Sequence, residues 1–106
     1  MGAECIVDIP KGYPHLKNDV ALTNSMKQGA ISFLGENNVV DLDLWMAAED
    51  FAYYTQKNQA CFYLLGVGNT QEGITSGLHT PTFNIDESAL EIGGGLMAWL
   101  ALEAMA

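Results

Sequence analysis

Ala60-Cys61-Phe62-Tyr63-Leu64-Leu65-Gly66 is a short unbroken apolar run stopped by a glycine. A run of this length reads as a strand buried on both faces. Two stretches nearer the N-terminus carry weaker extended signals. Ala3 to Ile9 alternates, with Ala3, Cys5, Val7 and Ile9 on one face and Glu4, Ile6 and Asp8 on the other. Val39 to Trp45 places Asp41 and Asp43 on its outward side. Helical patterns separate these runs. Asn18-Asp19 is a helix start, Leu22, Met26, Ala30, Phe33 and Leu34 form an apolar stripe, and Gly35 supplies a stop. A short helix is expected from about Ala47 or Ala48 towards Lys57. A last helix, capped by Asp86 with Glu87 at its positive end, runs to the C-terminus. The resulting β-α-β-α-β-α order predicts an α/β chain, a three-layer fragment with at least partly parallel strands.

The chain has 106 residues, room for one domain and a modest core, and its 49% apolar content excludes a disordered polypeptide. Thirteen acidic residues against four lysines and no arginine give a formal charge of −9. Nucleic-acid binding needs clustered cations to displace counterions, so neither nucleic acid nor an anionic membrane is an expected partner. Ile92 to Ala106 is too short and too interrupted to span a bilayer. No charged n-region with a cleavage site opens the sequence, which sets the expectation of a cytoplasmic location. Cys5 and Cys61 each sit in an apolar run and read as buried free thiols. A three-stranded sheet would leave both edges open, and the last helix is apolar nearly all round. Both features suit a piece of something larger, or a homo-oligomer formed through exposed edges.

The residues that carry chemistry lie in Gly77-Leu78-His79-Thr80-Pro81-Thr82-Phe83-Asn84-Ile85-Asp86-Glu87. A histidine on a short, glycine-punctuated turn is aimed by backbone rather than by packing, which suits a metal ligand. The bland alternative is a histidine that merely closes the loop. His15, the only other histidine, follows Pro14 in a turn and reads as solvent-exposed. Glu49-Asp50 precedes a helix, where carboxylates complement the free N–H groups. A role in shaping a substrate or metal site is the competing reading for this pair.

Three blocks of the sequence together resemble the C-terminal third of the zinc-dependent amidohydrolases. These are the hippurate hydrolase and N-acyl-amino-acid amidohydrolase group, related to the aminoacylases and carboxypeptidase G. The blocks are Gly12-Tyr13-Pro14 with Asn18-Asp19; Met46 to Tyr54 followed by the apolar run to Gly66; and Leu78-His79-Thr80-Pro81 with Phe83, Asp86-Glu87 and a glycine-bearing helix. The resemblance implies that residues 1–12 are the last strand of a lid domain and its crossover, and that 13–106 belong to a zinc-peptidase-like catalytic domain. It implies His79 as the last ligand of a site for one or two divalent ions, usually zinc, sometimes manganese, cobalt or nickel. It also implies a small N-acyl amino acid or dipeptide-like substrate, with Glu49, Asp50 and Gly77 near the site. The family's other ligands and its base glutamate match nothing here. The chain is therefore expected to be silent alone. A non-catalytic module that binds itself or a partner is the alternative, as is an active site reassembled from two polypeptides.

Overall fold

Asp19 begins the first helix because its carboxylate accepts the free Leu22 N–H at 2.8 Å. α1 (Val20–Leu34) follows and stops at Gly35, whose φ of 88° is open to glycine and strained for other residues. One 3-10 turn (Glu36–Asn38) leads on to a single-turn helix, α2 (Ala52–Thr55), shorter than its sequence suggested. α3 (Ser88–Met105) is the longest element. The computed structural model describes residues 2–106; Met1, the head of the expected lid segment, lies outside them.

α1 and α3 pack antiparallel through small residues. Gly29 is the buried residue of α1, and a Cβ there would stand 3.0 Å from Leu100 Cδ2. Trp99 Nε1 donates to the Gly29 carbonyl at 3.0 Å, and the Phe33 and Trp99 rings lie 6.3 Å apart. A Cβ on Gly95 would come within 2.9 Å of the Phe33 ring, and one on Gly93 within 2.8 Å of Leu65. Each helical glycine costs roughly 1 kcal/mol against alanine. The close approach it permits seals a small core in which Ala89, Leu96 and Leu100 are buried.

Residues 60–68 form an extended segment that runs antiparallel to α3. At one end the Asn18 carboxamide both donates to the Phe62 carbonyl and accepts from the Phe62 N–H, each at 2.8 Å. The Asp19 N–H donates to the Ala60 carbonyl. Leu65 lies over Gly93, and the Val67 carbonyl accepts the Asp86 N–H at 2.8 Å. Tyr63 reaches Met97 Sδ, and burial, reinforced by nearby Cys61, holds its phenol above the usual value.

The expected α/β three-layer fragment is incorrect for this chain. The described residues contain no sheet, only an isolated antiparallel bridge between Asn69 and Ile74. The physical reason is that a ladder is a property of two segments, each supplying donors and acceptors to the other. The run at 60–65 finds a side chain in that role: Asn18 makes the two bonds that a neighbouring strand's peptide would make. Residues 3–9 and 39–45 find even less. Ile6 is 89% exposed and Leu44 90% exposed, with Asp41 tied only to Lys27 by a 2.7 Å ion pair. Trp45 and Met46 are exposed, as is Cys5, which was expected to be buried. Both cysteines are free, and Cys61 is half-buried. No helix among the described residues is long and apolar enough to cross a membrane.

The radius of gyration is 18.5 Å, against about 13 Å for a compact domain of this length. The accessible surface is 9048 Å², roughly 3,000 Å² more than a folded chain of this mass exposes. Much of that excess is apolar, in Val40, Leu42, Leu44, Met46, Leu90, Met97 and Met105.

The glycines of α3 separate by environment. A Cβ on Gly94 meets nothing, so Gly94→Ala should raise helix stability by about 1 kcal/mol. Gly95→Ala should forfeit that gain and more, because Phe33 must move, at a typical overpacking cost of about 1–3 kcal/mol. Thermal melts followed by circular dichroism rank the two variants.

Candidate functional site

His79 is the only non-glycine residue with a positive φ among the described residues, at 61°. The left-handed region costs an L-residue about 1–2 kcal/mol and persists only where neighbouring contacts hold it. Those contacts are nested around the residue. Innermost, the Thr80 hydroxyl donates to the Gly77 carbonyl at 2.9 Å, with the Phe83 N–H to Thr80 carbonyl bond following the turn rather than enclosing it. Outside them Ser76 and Thr82 share a 2.8 Å hydrogen bond. Further out, Asn69 Nδ2 donates to Asp86 Oδ2 at 2.6 Å, and outermost the Asp86 N–H donates to the Val67 carbonyl at 2.8 Å. The histidine is exposed at the tip of this braced loop. Gly77 belongs to the same turn; a side chain there would meet nothing, so its carbonyl rather than its lack of Cβ serves the loop.

Asp86 anchors the loop to α3. Its Oδ1 accepts from the Ser88 hydroxyl at 2.7 Å and from the Ser88 N–H at 3.0 Å. Ser88, first through its hydroxyl, then Asn69, then the Ser88 N–H hold the carboxyl below the ordinary carboxylate range. The sequence reading of Asp86 as a cap for the last helix therefore holds, with the Ser88 N–H as the capped donor. Its second partner was missed. Asn69 opens a polar turn ending in Gly73, a legible Asx-turn signal, and its Oδ1 accepts from the Gln71 and Glu72 N–H groups. Nothing in the sequence pairs that turn with residue 86.

Glu49 and Asp50 stand at the start of α2. Glu49 Oε1 accepts the Phe51 N–H at 3.0 Å, the ordinary work of a carboxylate ahead of a helix, and Asp50 is exposed. Neither is joined to His79 by a hydrogen bond among the described residues. His15 is exposed, as expected. It lines an open hollow of about 560 Å³ with Lys17, Asp19, Gln56 and Lys57. A second hollow of the same size lies beside Asn69 and Ile74.

A divalent ion needs about three protein ligands. No group of three or more His, Cys, Asp or Glu side chains among the described residues could hold one. The residues present fit one position of such a site: an exposed imidazole, free of intramolecular hydrogen bonds, on a loop whose backbone is held rather than loose.

The relatives of the chain are hydrolases. It is 36% identical over 89 residues to the IAA-amino acid hydrolase ILR1-like 6 of Arabidopsis thaliana, covering 84% of this chain and 19% of that one. It is 32% identical over 101 residues to the putative amidohydrolase YhaA of Bacillus subtilis, covering 95% and 26%. An uncharacterized hydrolase of Staphylococcus saprophyticus is 34% identical over 88 residues, covering 82% and 22%. The chain thus spans about a fifth to a quarter of the length of these relatives. No solved structure matches it. The model for peptidase family M20/M25/M40 matches residues 4–103, and the chain belongs to that generally metal-dependent family.

Because the Asp86 carboxyl is depressed in the folded chain, its contribution is complete above the unfolded carboxylate range. It disappears as the pH falls through the lower folded value. Acid titration followed by nuclear magnetic resonance should therefore show the Ser88 amide and Asn69 side-chain amide resonances shifting together below the ordinary carboxylate range. Asp86→Asn should abolish that joint shift.

Proposed function

We propose that this chain is a C-terminal portion of a metal-dependent amidohydrolase. In this reading the enzyme cleaves the amide bond of N-acyl amino acids or related small amides, and the chain supplies His79 as one metal ligand. The observation that carries the assignment is the strained, exposed His79 on a braced loop, within a segment matched almost end to end by a family of metal-dependent hydrolases. Relatives named for hydrolysis of IAA-amino acids and for amidohydrolase activity support the substrate class.

When bound, the ion would acidify a water and polarise the amide carbonyl. This chain's part is to hold an imidazole nitrogen in place: the loop fixes the backbone of His79 before the ligand arrives, so little ordering remains at binding. In this reading the general base and the other ligands come from the rest of the enzyme, and the chain alone is silent. The roughly 3,000 Å² of surplus surface exceeds a standard protein interface, and supports self-association of the isolated chain.

Three measurements test this reading. The purified chain should show no turnover of N-acyl amino acids with or without added zinc, manganese, cobalt or nickel. It should retain zinc well below one equivalent, and it should scatter light as a species heavier than a monomer. In the complete enzyme, His79→Ala should lower kcat/KM by about a hundredfold or more, at least the upper range for losing a mere outer-sphere partner of a metal ligand. Appreciable turnover by the isolated chain, or a fully active His79→Ala enzyme, would overturn the assignment.

A further inference from the structure

We infer that one edge of residues 60–68, bearing the Cys61, Tyr63 and Leu65 amides, docks a second copy of this chain, antiparallel about a two-fold axis at Tyr63. The inference rests on the reading that the chain by itself self-associates, and it names the surface.

An extended segment sends the backbone groups of alternate residues to opposite edges. One edge carries Ala60, Phe62 and Leu64, and its first half is occupied. The Ala60 carbonyl accepts the Asp19 N–H, and Phe62 exchanges two bonds with Asn18. The other edge carries Cys61, Tyr63, Leu65 and Val67. There only the Val67 carbonyl is engaged, by the Asp86 N–H. The N–H and carbonyl groups of Cys61, Tyr63 and Leu65 have no hydrogen-bond partner among the described residues. Unpaired main-chain groups along a half-buried apolar segment are what an added strand satisfies. This segment is also held before any partner arrives, by Asn18 and Asp19 at one end and by Leu65 over Gly93 on α3. Little ordering is therefore left to the pairing step. Residues 3–9 and 39–45 are poorer candidates: Ile6 and Leu44 are almost fully exposed, and these runs carry Glu4, Asp8, Asp41 and Asp43.

Charge argues for a second copy as the occupant. At a formal charge of −9, two copies repel each other over most of their surface. No charged residue lies between Lys57 and Glu72, so like chains can meet along this stretch. Antiparallel pairing about Tyr63 sets that residue opposite its own equivalent, and Cys61 opposite Leu65 of the other copy. The same three residues then serve both sides, as an isologous contact requires. Tyr63 opposite Tyr63 is an aromatic cross-strand pair, a kind that favours paired strands. Apolar surface flanks the edge on both faces: Leu64 is 44% exposed, and Met97, which Tyr63 reaches, is 59% exposed. The surplus surface of the chain exceeds the roughly 800 Å² that each partner gives to a standard interface.

The test is amide hydrogen exchange on the 106-residue chain in dilute and concentrated solution, with the mass read by light scattering. The concentrated sample should be a dimer in which the Cys61, Tyr63 and Leu65 amides exchange about tenfold or more slowly than in the dilute one. The Leu64 and Gly66 amides, on the opposite edge, should keep their rates. Tyr63→Phe retains the backbone donor and should dimerise like the parent. Tyr63→Pro removes an N–H that the single chain leaves unpaired. It should weaken dimerisation about tenfold or more, with the helical circular dichroism unchanged. If that variant does not fold, the alternation in the parent decides. A dimer protected along α3, or without alternation over 61–66, would overturn the paired edge while self-association stood. A monomer whose three amides are protected at every concentration would also overturn it, because another segment of the same chain would then cover the edge. A monomer with unprotected amides would defeat self-association and the edge together. Turnover of N-acyl amino acids, measured separately, bears only on the catalytic reading.

Discussion

Everything ordered in this chain hangs from the close approach of α3 to its two neighbours. Helix α3 has little polar surface, so it is held in place by fit rather than by charge, and the fit depends on glycine. Gly29 and Gly95 bring it against α1, and Gly93 brings it against Leu65. The Trp99–Gly29 hydrogen bond fixes the register of the helix pair. Residues 60–68 are held because one end is bonded to Asn18 and Asp19 and the other lies on α3. The His79 loop is in turn strung between the far end of that segment and the first turn of α3. A displacement of α3 would therefore reach His79 through two routes, the Val67–Asp86 and Asn69–Asp86 contacts.

The site shows an unusual division of labour. The His79 side chain is exposed, while the polar groups around it are spent on backbone geometry. Strain held in advance by such bonds need not be supplied when the loop engages a partner. The surplus surface belongs to a chain that spans about a fifth to a quarter of the length of the hydrolases it resembles.

Local chemistry was legible where the determining interaction is short in sequence. Asp19 caps α1, Gly35 stops it, and Asp86 caps α3, because each acts within a few residues on groups that every helix end leaves free. His79 was legible for a related reason: a histidine among glycine, threonine and proline has few packing partners nearby, and the family motif surrounds it. What could not be read was any pairing across distance. Apolar alternation at 3–9 and 39–45 states a capacity to form strands, and the fold shows that capacity unused. Asn69 gave a turn signal, and its partner seventeen residues away gave a cap signal; their contact followed from neither.

The sequence by itself determined both ends of α1, the start of α3 and the membership of a hydrolase family, because these depend on local hydrogen-bond chemistry and on motif order. Tertiary structure alone decided that no sheet forms among the described residues, that the α3 glycines serve α1 and the 60–68 segment, and that the His79 loop is braced at Asp86. Each of those outcomes requires two remote segments to meet, and whether they meet is settled by which surfaces the rest of the polypeptide leaves available.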